Sequence, residues 1–246
     1  VPAWWIEEMG KMRVEIPGDE KKALTHYAYH IKAGKEIFAA EGAFGQYLIC
    51  FRDFPVAIGI TAGAREYLAA DICLKYMKEA ISEPCNEEQL EAAEKALCAK
   101  LNSLSLVQPE GTFRTARKEA AKLFDRKILF TENPRKVESV VFTKEGYRIK
   151  IEAVINGEQK TLYASYKAWK RNNLYPDDFT KKYQSVAYAM DAEALYLSVG
   201  LINTSYKEEY SLWVNSEDKV IATWRPNVTY LPEEPDMVWK FTGTFE

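Results

Sequence analysis

The sequence predicts an α+β protein, a helical region followed by an antiparallel sheet against which one long helix packs. Three observations carry that expectation. Apolar residues recur at three- and four-residue steps through the first part of the chain, the helical period. After "TENPRK" the pattern changes to alternation in period two, cut by the turn signals Glu145-Gly146 and Asn156-Gly157. Between the later strands a seam of Phe179, Tyr183, Val186, Met190, Ala194, Leu197 and Leu201 returns to helical spacing. The change of texture places a boundary at 131/132, with residues 1–131 helical and 132–246 an antiparallel α+β region; one continuous domain is the other option.

Taken in order, Asp19 can cap a first helix running to Ala40, with Leu24, Tyr27, Ala28, Ile31 and Phe38 on one stripe. A second helix fits Thr61 to Ile81. The third opens on Asn86, an N-cap with Gln89 three residues on, and carries Leu90, Leu97, Leu101 and Leu104. A fourth covers Phe113 to Phe124. The run "YLICFRDFPVAIGI" between the first two is strand or buried helix, since short apolar runs do not separate the two. Beyond residue 136, "VESVVFTKEGYRIKIEAVINGEQKTLYASYKAW" reads as a three-stranded meander, and Pro176, Asp177 and Asp178 open the long helix to Ile202. Strands return at "EYSLWVNSEDKVIATWRP", with a turn at Glu217-Asp218, and at "MVWKFTGTF". A terminal hairpin that follows a long helix and includes "KVIATWRP" resembles, in element order, the cone-shaped sheet of the NTF2-like fold. The resemblance implies a sheet curved around a pocket.

Composition sets the outer bounds. With 246 residues, 47% of them apolar and 28% charged, the chain can bury a proper core. No long uncharged apolar run is present, so no helical membrane span is expected. The cysteines, Cys50, Cys73, Cys85 and Cys98, form no CxxC pair and suit buried thiols in a reducing, intracellular compartment. The chain opens on Val1, which reads as a trimmed or processed N-terminus and makes mitochondrial import an option. Charge is unevenly placed: residues 111–182 hold 17 Lys and Arg against 9 Asp and Glu, whereas the whole chain carries −3. A basic middle region of this kind suits an acidic protein face, nucleic acid or an anionic membrane surface.

The catalytic templates fail in turn. His26 and His30 are the only histidines, four apart, a spacing that stacks side chains on one helix face; but Tyr27 stands where a metalloprotease has Glu, and no third ligand is evident. They read as interface residues. No G-x-S-x-G elbow, Walker A or G-x-G-x-x-G sequence occurs, so neither an activated serine nor a glycine-rich phosphate loop is expected, and no cofactor or metal is assigned. "YASYKAWKRNNLY" interleaves Tyr166 and Trp169 with Lys167, Lys170 and Arg171, a pattern that stacks bases and binds phosphates and equally forms a solvated basic edge. Trp4 and Trp5 lie near the start of the chain, where side chains are loosely held, and suit a clamp on a neighbour.

These readings point first to a non-catalytic accessory or scaffolding subunit of a larger assembly, for which a mitochondrial respiratory or ATP synthase complex is a plausible host. Other protein subunits are then its partners, through the aromatic N-terminus and the basic middle region. Two alternatives stand beside it. One is a small-molecule-binding domain or enzyme with a pocket in the C-terminal sheet, lined by Tyr183, Tyr188, Asp191 and Glu193. The other is single-stranded nucleic-acid binding through Trp169 and Arg171.

Overall fold

The computed structural model describes residues 1–18, 21–64, 69–82, 85–112, 118–175, 177, 182–228 and 238–246. The chain divides into two compact units, Val1–Ser105 and Leu106–Glu246.

In the first unit a short helix, α1 (Ala3–Met9), precedes six strands: β1 (Val14–Glu15), β2 (His26–Ala28), β3 (Ile31–Ala33), β4 (Ile37–Gly42), β5 (Gln46–Phe51) and β6 (Ala57–Ile60). They pair antiparallel in chain order. The first predicted helix is therefore corrected to strands β2, β3 and β4. Very short strands joined by tight turns bury Ala28, Ile31, Ala33 and Ile37, and those mixed steps of two, three and four imitate a helical stripe. His30, at φ 60°, makes the turn. "YLICFRDFPVAIGI" resolves into β5 and β6.

Helix α2 (Ala69–Ser82) realises the C-terminal part of the second predicted helix; residues 61–64 are not helical, and 65–68 lie outside the described residues. It packs Ala70, Cys73, Leu74 and Met77 on the core of Leu24, Ile37, Tyr47 and Ile49. Helix α3 (Glu87–Ser103) begins where expected: Gln89 N–H donates to Asn86 Oδ1 at 2.9 Å, and the Asn86 N–H donates back to Gln89 Oε1 at 2.9 Å. None of its residues is buried.

Among the described residues the second unit holds one short helix, α4 (Lys118–Ala121), and ten strands; of the predicted fourth helix, residues 113–117 lie outside the described residues and 122–124 are not helical. These are β7 (Lys127–Phe130), β8 (Val137–Glu145), β9 (Arg148–Ile155), β10 (Glu158–Tyr166), β11 (Lys170–Asn173), β12 (Tyr183–Met190), β13 (Ala194–Leu201), β14 (Lys207–Val214), β15 (Val220–Pro226) and β16 (Trp239–Phe245). From β10 the order runs β9, β8, β7, β16, β15, β14, β13, β12. Parallel pairing of Ser165 with Ala187 and Tyr166 with Tyr188 brings β10 back to β12. Among the described residues these nine strands close into a barrel, which removes both sheet edges.

Where β10 and β12 diverge, β11 fills in along β12, and the Asn172 side chain imitates a strand. It accepts from Tyr163 N–H at 2.8 Å and donates to Tyr163 O at 3.0 Å. The predicted meander is present as β8, β9 and β10, with Asn156 at φ 51° and Gly157 at φ 77°, the positive pair that a two-residue hairpin turn requires.

Among the described residues 182–202 the long helix expected over 176–202 is absent, and with it the α+β class. Tyr183–Met190 and Ala194–Leu201 form a hairpin instead; Phe179 lies outside the described residues. The cause is burial on both faces. Val186, Tyr188 and Met190 belong to the barrel core, while Ala187 and Ala189, on the opposite face, are fully buried as well. The segment before α4 helps to cover them: a Cβ on Gly111 would lie 2.9 Å from that of Ala189 and 2.7 Å from the Met190 carbonyl. A strand buried on both faces loses its alternation and reads as continuous apolar sequence. The NTF2-like cone is likewise corrected, because the sheet closes on itself and no long helix packs in it.

Candidate ligand-binding site

The barrel interior follows from strand parity. On β14 the residues Glu208, Leu212 and Val214 are buried at alternate positions, with Tyr210 between them on the same face. On β8 a bulge between Val137 and Ser139 shifts the parity, so that Val137 and Val140 both face inward. The loop from β7 to β8 then carries Arg135 over the end of the barrel. Asn133, a buried side chain, fixes that loop by donating to Thr131 O at 2.9 Å and Val137 O at 2.8 Å and accepting from Val137 N–H at 3.1 Å.

Arg135, Glu208 and Tyr210 form a closed polar group within an otherwise apolar surface. An Arg135 guanidinium nitrogen lies 3.0 Å from Glu208 Oε1, Arg135 Nε donates to the Tyr210 hydroxyl at 3.3 Å, and that hydroxyl donates to Glu208 Oε2 at 2.7 Å. The guanidinium also sits 5.5 Å from the centre of the Trp224 ring, which stacks on Trp239 at 4.4 Å. Burial works against the Arg135 charge, but Tyr210 and Glu208 outweigh it and hold the group above its usual range. Burial, and next the Glu208 charge, push the Tyr210 phenol far up, so it remains a neutral donor.

Below this cluster the walls are apolar, built from Phe142, Ile151, Leu162, Val186, Leu197 and Phe241. They line a cavity of about 120 Å³. A cavity needs roughly 10–15 Å³ on this measure to admit one water, so there is room here for a small molecule. Gln184, on β12, supplies a further buried polar group to the lining.

Most residues singled out from the sequence lie elsewhere. His26 is on β2 and His30 in the turn after it, not on one helix face. His26 Nδ1 is 2.8 Å from Thr25 Oγ1 and His30 Nδ1 is 3.1 Å from the Tyr27 hydroxyl, and no metal-binding group of His, Cys, Asp or Glu occurs among the described residues. Trp4 is exposed on α1, and Trp5 contacts Tyr29 at 5.2 Å.

In the aromatic and basic segment, Tyr166 turns into the barrel against Tyr188 at 5.7 Å, and Trp169 Nε1 donates to Leu106 O at 3.3 Å. Lys167 makes the bend after β10, Lys170 begins β11, and Arg171 covers the Tyr183 ring at 3.8 Å. Of the four polar residues expected in a C-terminal pocket, Tyr183 lies under Arg171, Tyr188 is packed in the core, and Asp191 and Glu193 form the β12–β13 turn. Arg135, Glu208, Tyr210 and Gln184 were missed. The signal for one of them is in the sequence: Glu208 shares a strand face with Leu212 and Val214, a carboxylate at a core position.

No protein-family model and no curated protein matches the chain. Among solved structures it is similar to apo lipid binding protein 8 of Caenorhabditis elegans, with a TM-score of 0.41 and 7% identity over 53% of this chain and 100% of that one. It is also similar to a fatty-acid-binding protein isolated from Manduca sexta, at TM-score 0.36 and 10% identity over 50% of this chain and 98% of that one. A third is a fatty acid transporter, at TM-score 0.38 and 12% identity over 51% of this chain and 97% of that one.

The accessory-subunit expectation is corrected, together with its protein-subunit, nucleic-acid and membrane partners. Of the aromatics assigned to a base-stacking surface, Tyr166 is packed against the barrel core and Trp169 is tied to the Leu106 carbonyl, and several of the basic residues are paired at close range, as in Lys150–Glu152 at 2.9 Å and Lys127–Glu246 at 2.8 Å. What the second unit does present is a barrel around its own cavity. Among the described residues no helix is long and apolar enough to cross a membrane.

Proposed function

We propose that the barrel of Leu106–Glu246 binds a largely apolar small molecule and holds the polar end of it at Arg135, Glu208 and Tyr210. One observation carries the reading: a buried carboxylate, Glu208, paired with a partly exposed Arg135 and its own tyrosine, sits at the end of an apolar void in a closed barrel. Such a pair is costly to desolvate and is often no more stabilising than apolar packing, so stability alone gives little reason to keep it there. A mostly apolar cavity with a few convergent polar groups is the general form of a small-molecule site.

The test uses N-phenyl-1-naphthylamine, an uncharged dye whose emission rises in apolar surroundings. The protein is expected to bind it with saturation. Ala222→Phe, which projects a ring from the lining into the void, is expected to weaken binding at least about tenfold, at a stability cost of ~1–3 kcal/mol and with an unchanged circular dichroism spectrum. No saturable binding, or equal binding by the folded variant, rejects the proposal.

A further inference from the structure

We infer that the ligand's polar end is uncharged, so that the molecule taken by the barrel is a neutral amphiphile such as an alcohol, an ester or an amide on an apolar body, and not a carboxylate or an amine. The inference rests on the proposed binding function and narrows it.

The charge at the end of the void is already balanced within the protein. Arg135 and Glu208 meet at 3.0 Å, and the Glu208 side chain is only 11% exposed, so a ligand there meets a neutral pair. A carboxylate would have to take Glu208's place on the guanidinium. Glu208 has little freedom to leave, because β14 fixes its backbone between β13 and β15 and Tyr210 holds its second oxygen at 2.7 Å. With Glu208 in place, attraction of an anion to Arg135 is offset by repulsion from the neighbouring carboxylate, and its loss of hydration goes uncompensated. An amine meets the mirror image of the same difficulty.

The nearby Lys160 does not supply the missing charge. Its ammonium lies 2.5 Å from Glu158 and 4.3 Å from the centre of the Tyr175 ring, so it too is accompanied.

Hydrogen-bonding capacity, by contrast, is left over. A guanidinium has five N–H donors, of which the cluster engages two groups, and each Glu208 oxygen can accept more than one bond. The Gln184 amide adds a donor and an acceptor on a neighbouring wall. A hydroxyl, which both accepts and donates, can complete such a site without disturbing its charge.

The experiment displaces N-phenyl-1-naphthylamine with 1-decanol and with decanoate, two ligands of equal chain length, at pH 8 where the acid is ionised. Wild type and Glu208→Gln are compared. The wild type is expected to bind decanol at least about tenfold more tightly than decanoate. Glu208→Gln removes the negative charge while keeping an acceptor, and is expected to raise relative decanoate affinity by about tenfold or more, which greater water solubility of the acid does not explain. Should Glu208→Gln fail to fold, Arg135→Gln/Glu208→Gln restores neutrality and is expected to keep the preference for decanol. Decanoate binding as tightly as decanol in wild type, an unchanged ratio in Glu208→Gln, or a preference for decanoate in the double variant overturns the inference. Dye that binds but yields to neither compound overturns it while leaving the binding function standing; absence of dye binding removes both.

Discussion

Asp191 shows how one side chain fixes the hairpin that replaced a predicted helix. Its Oδ1 accepts from the backbone N–H groups of Glu193 and Ala194, both at 2.8 Å, and its Oδ2 from the Tyr196 hydroxyl at 2.6 Å. Burial alone would raise its pKa, but Tyr196 and the backbone donors outweigh that and lower it below the ordinary 3.8. A carboxyl so shifted contributes stability that is complete above its unfolded pKa and disappears as pH falls through the lower, folded value. Asp191→Ala is therefore expected to lose ~1–2 kcal/mol at neutral pH and to converge on wild type in strong acid. Urea midpoints at both pH values check this, and a difference independent of pH contradicts it. The partner behaves in the opposite sense: burial first and then Asp191 push Tyr196 up to about 12, so its contribution is whole below the ordinary 10 and is lost as pH rises towards 12. At Glu208 and Arg135 the same kind of local chemistry builds the candidate site. Glu208 was readable as a charge on a core face; Arg135, in a loop, had no pattern to mark it.

Helix α3 is the element whose local chemistry was plainest. Asn86 and Gln89 cap it as their letters suggest, yet its stripe residues Leu90, Leu97, Leu101 and Leu104 are all more than half exposed, at 59%, 56%, 56% and 62%. Its N-terminus is thus held by capping and not by a core. Asn86→Ala is expected to cost ~1 kcal/mol, felt only locally. Hydrogen exchange at amides of the first turns should quicken about fivefold, without a change in the melting of the barrel; an unaltered exchange rate would show that other contacts hold the helix. Strands β12 and β13 are the opposite case. Their apolar letters fit a seam at three- and four-residue steps as well as they fit two adjacent strands, and the choice was made by Asp191 at the turn and by cover on both faces of β12.

Each unit has its own core, one built around Ile37, Tyr47 and Ile49 and the other around Phe142, Tyr188 and Leu195. The binding proposal concerns only the second. A fragment comprising Leu106–Glu246 is therefore expected to fold cooperatively and to bind N-phenyl-1-naphthylamine within about threefold of the whole chain, since a unit with its own core can fold alone. A fragment that is unfolded by circular dichroism, or folded and unable to bind, refutes that independence. Described lysines and arginines of 111–182 are spread over several strands and turns, several of them beside a carboxylate, as Lys122 is beside Glu119 at 2.6 Å.

Local signals in the sequence were enough for the turn at Asn156-Gly157, the strands β8, β9, β10, β14, β15 and β16, and the cap of α3, because each depends on conformational preferences of a few adjacent residues. Barrel closure was out of reach. It depends on Ser165 and Tyr166 meeting Ala187 and Tyr188, residues 22 positions apart whose pairing leaves no local pattern. The candidate site has the same origin: Arg135 and Glu208 are far apart along the chain, and a bulge in β8, an asparagine-pinned loop and the alternation of β14 bring them to 3.0 Å. Period and propensity act over a few residues, whereas a cavity is defined by which distant faces are turned towards one another.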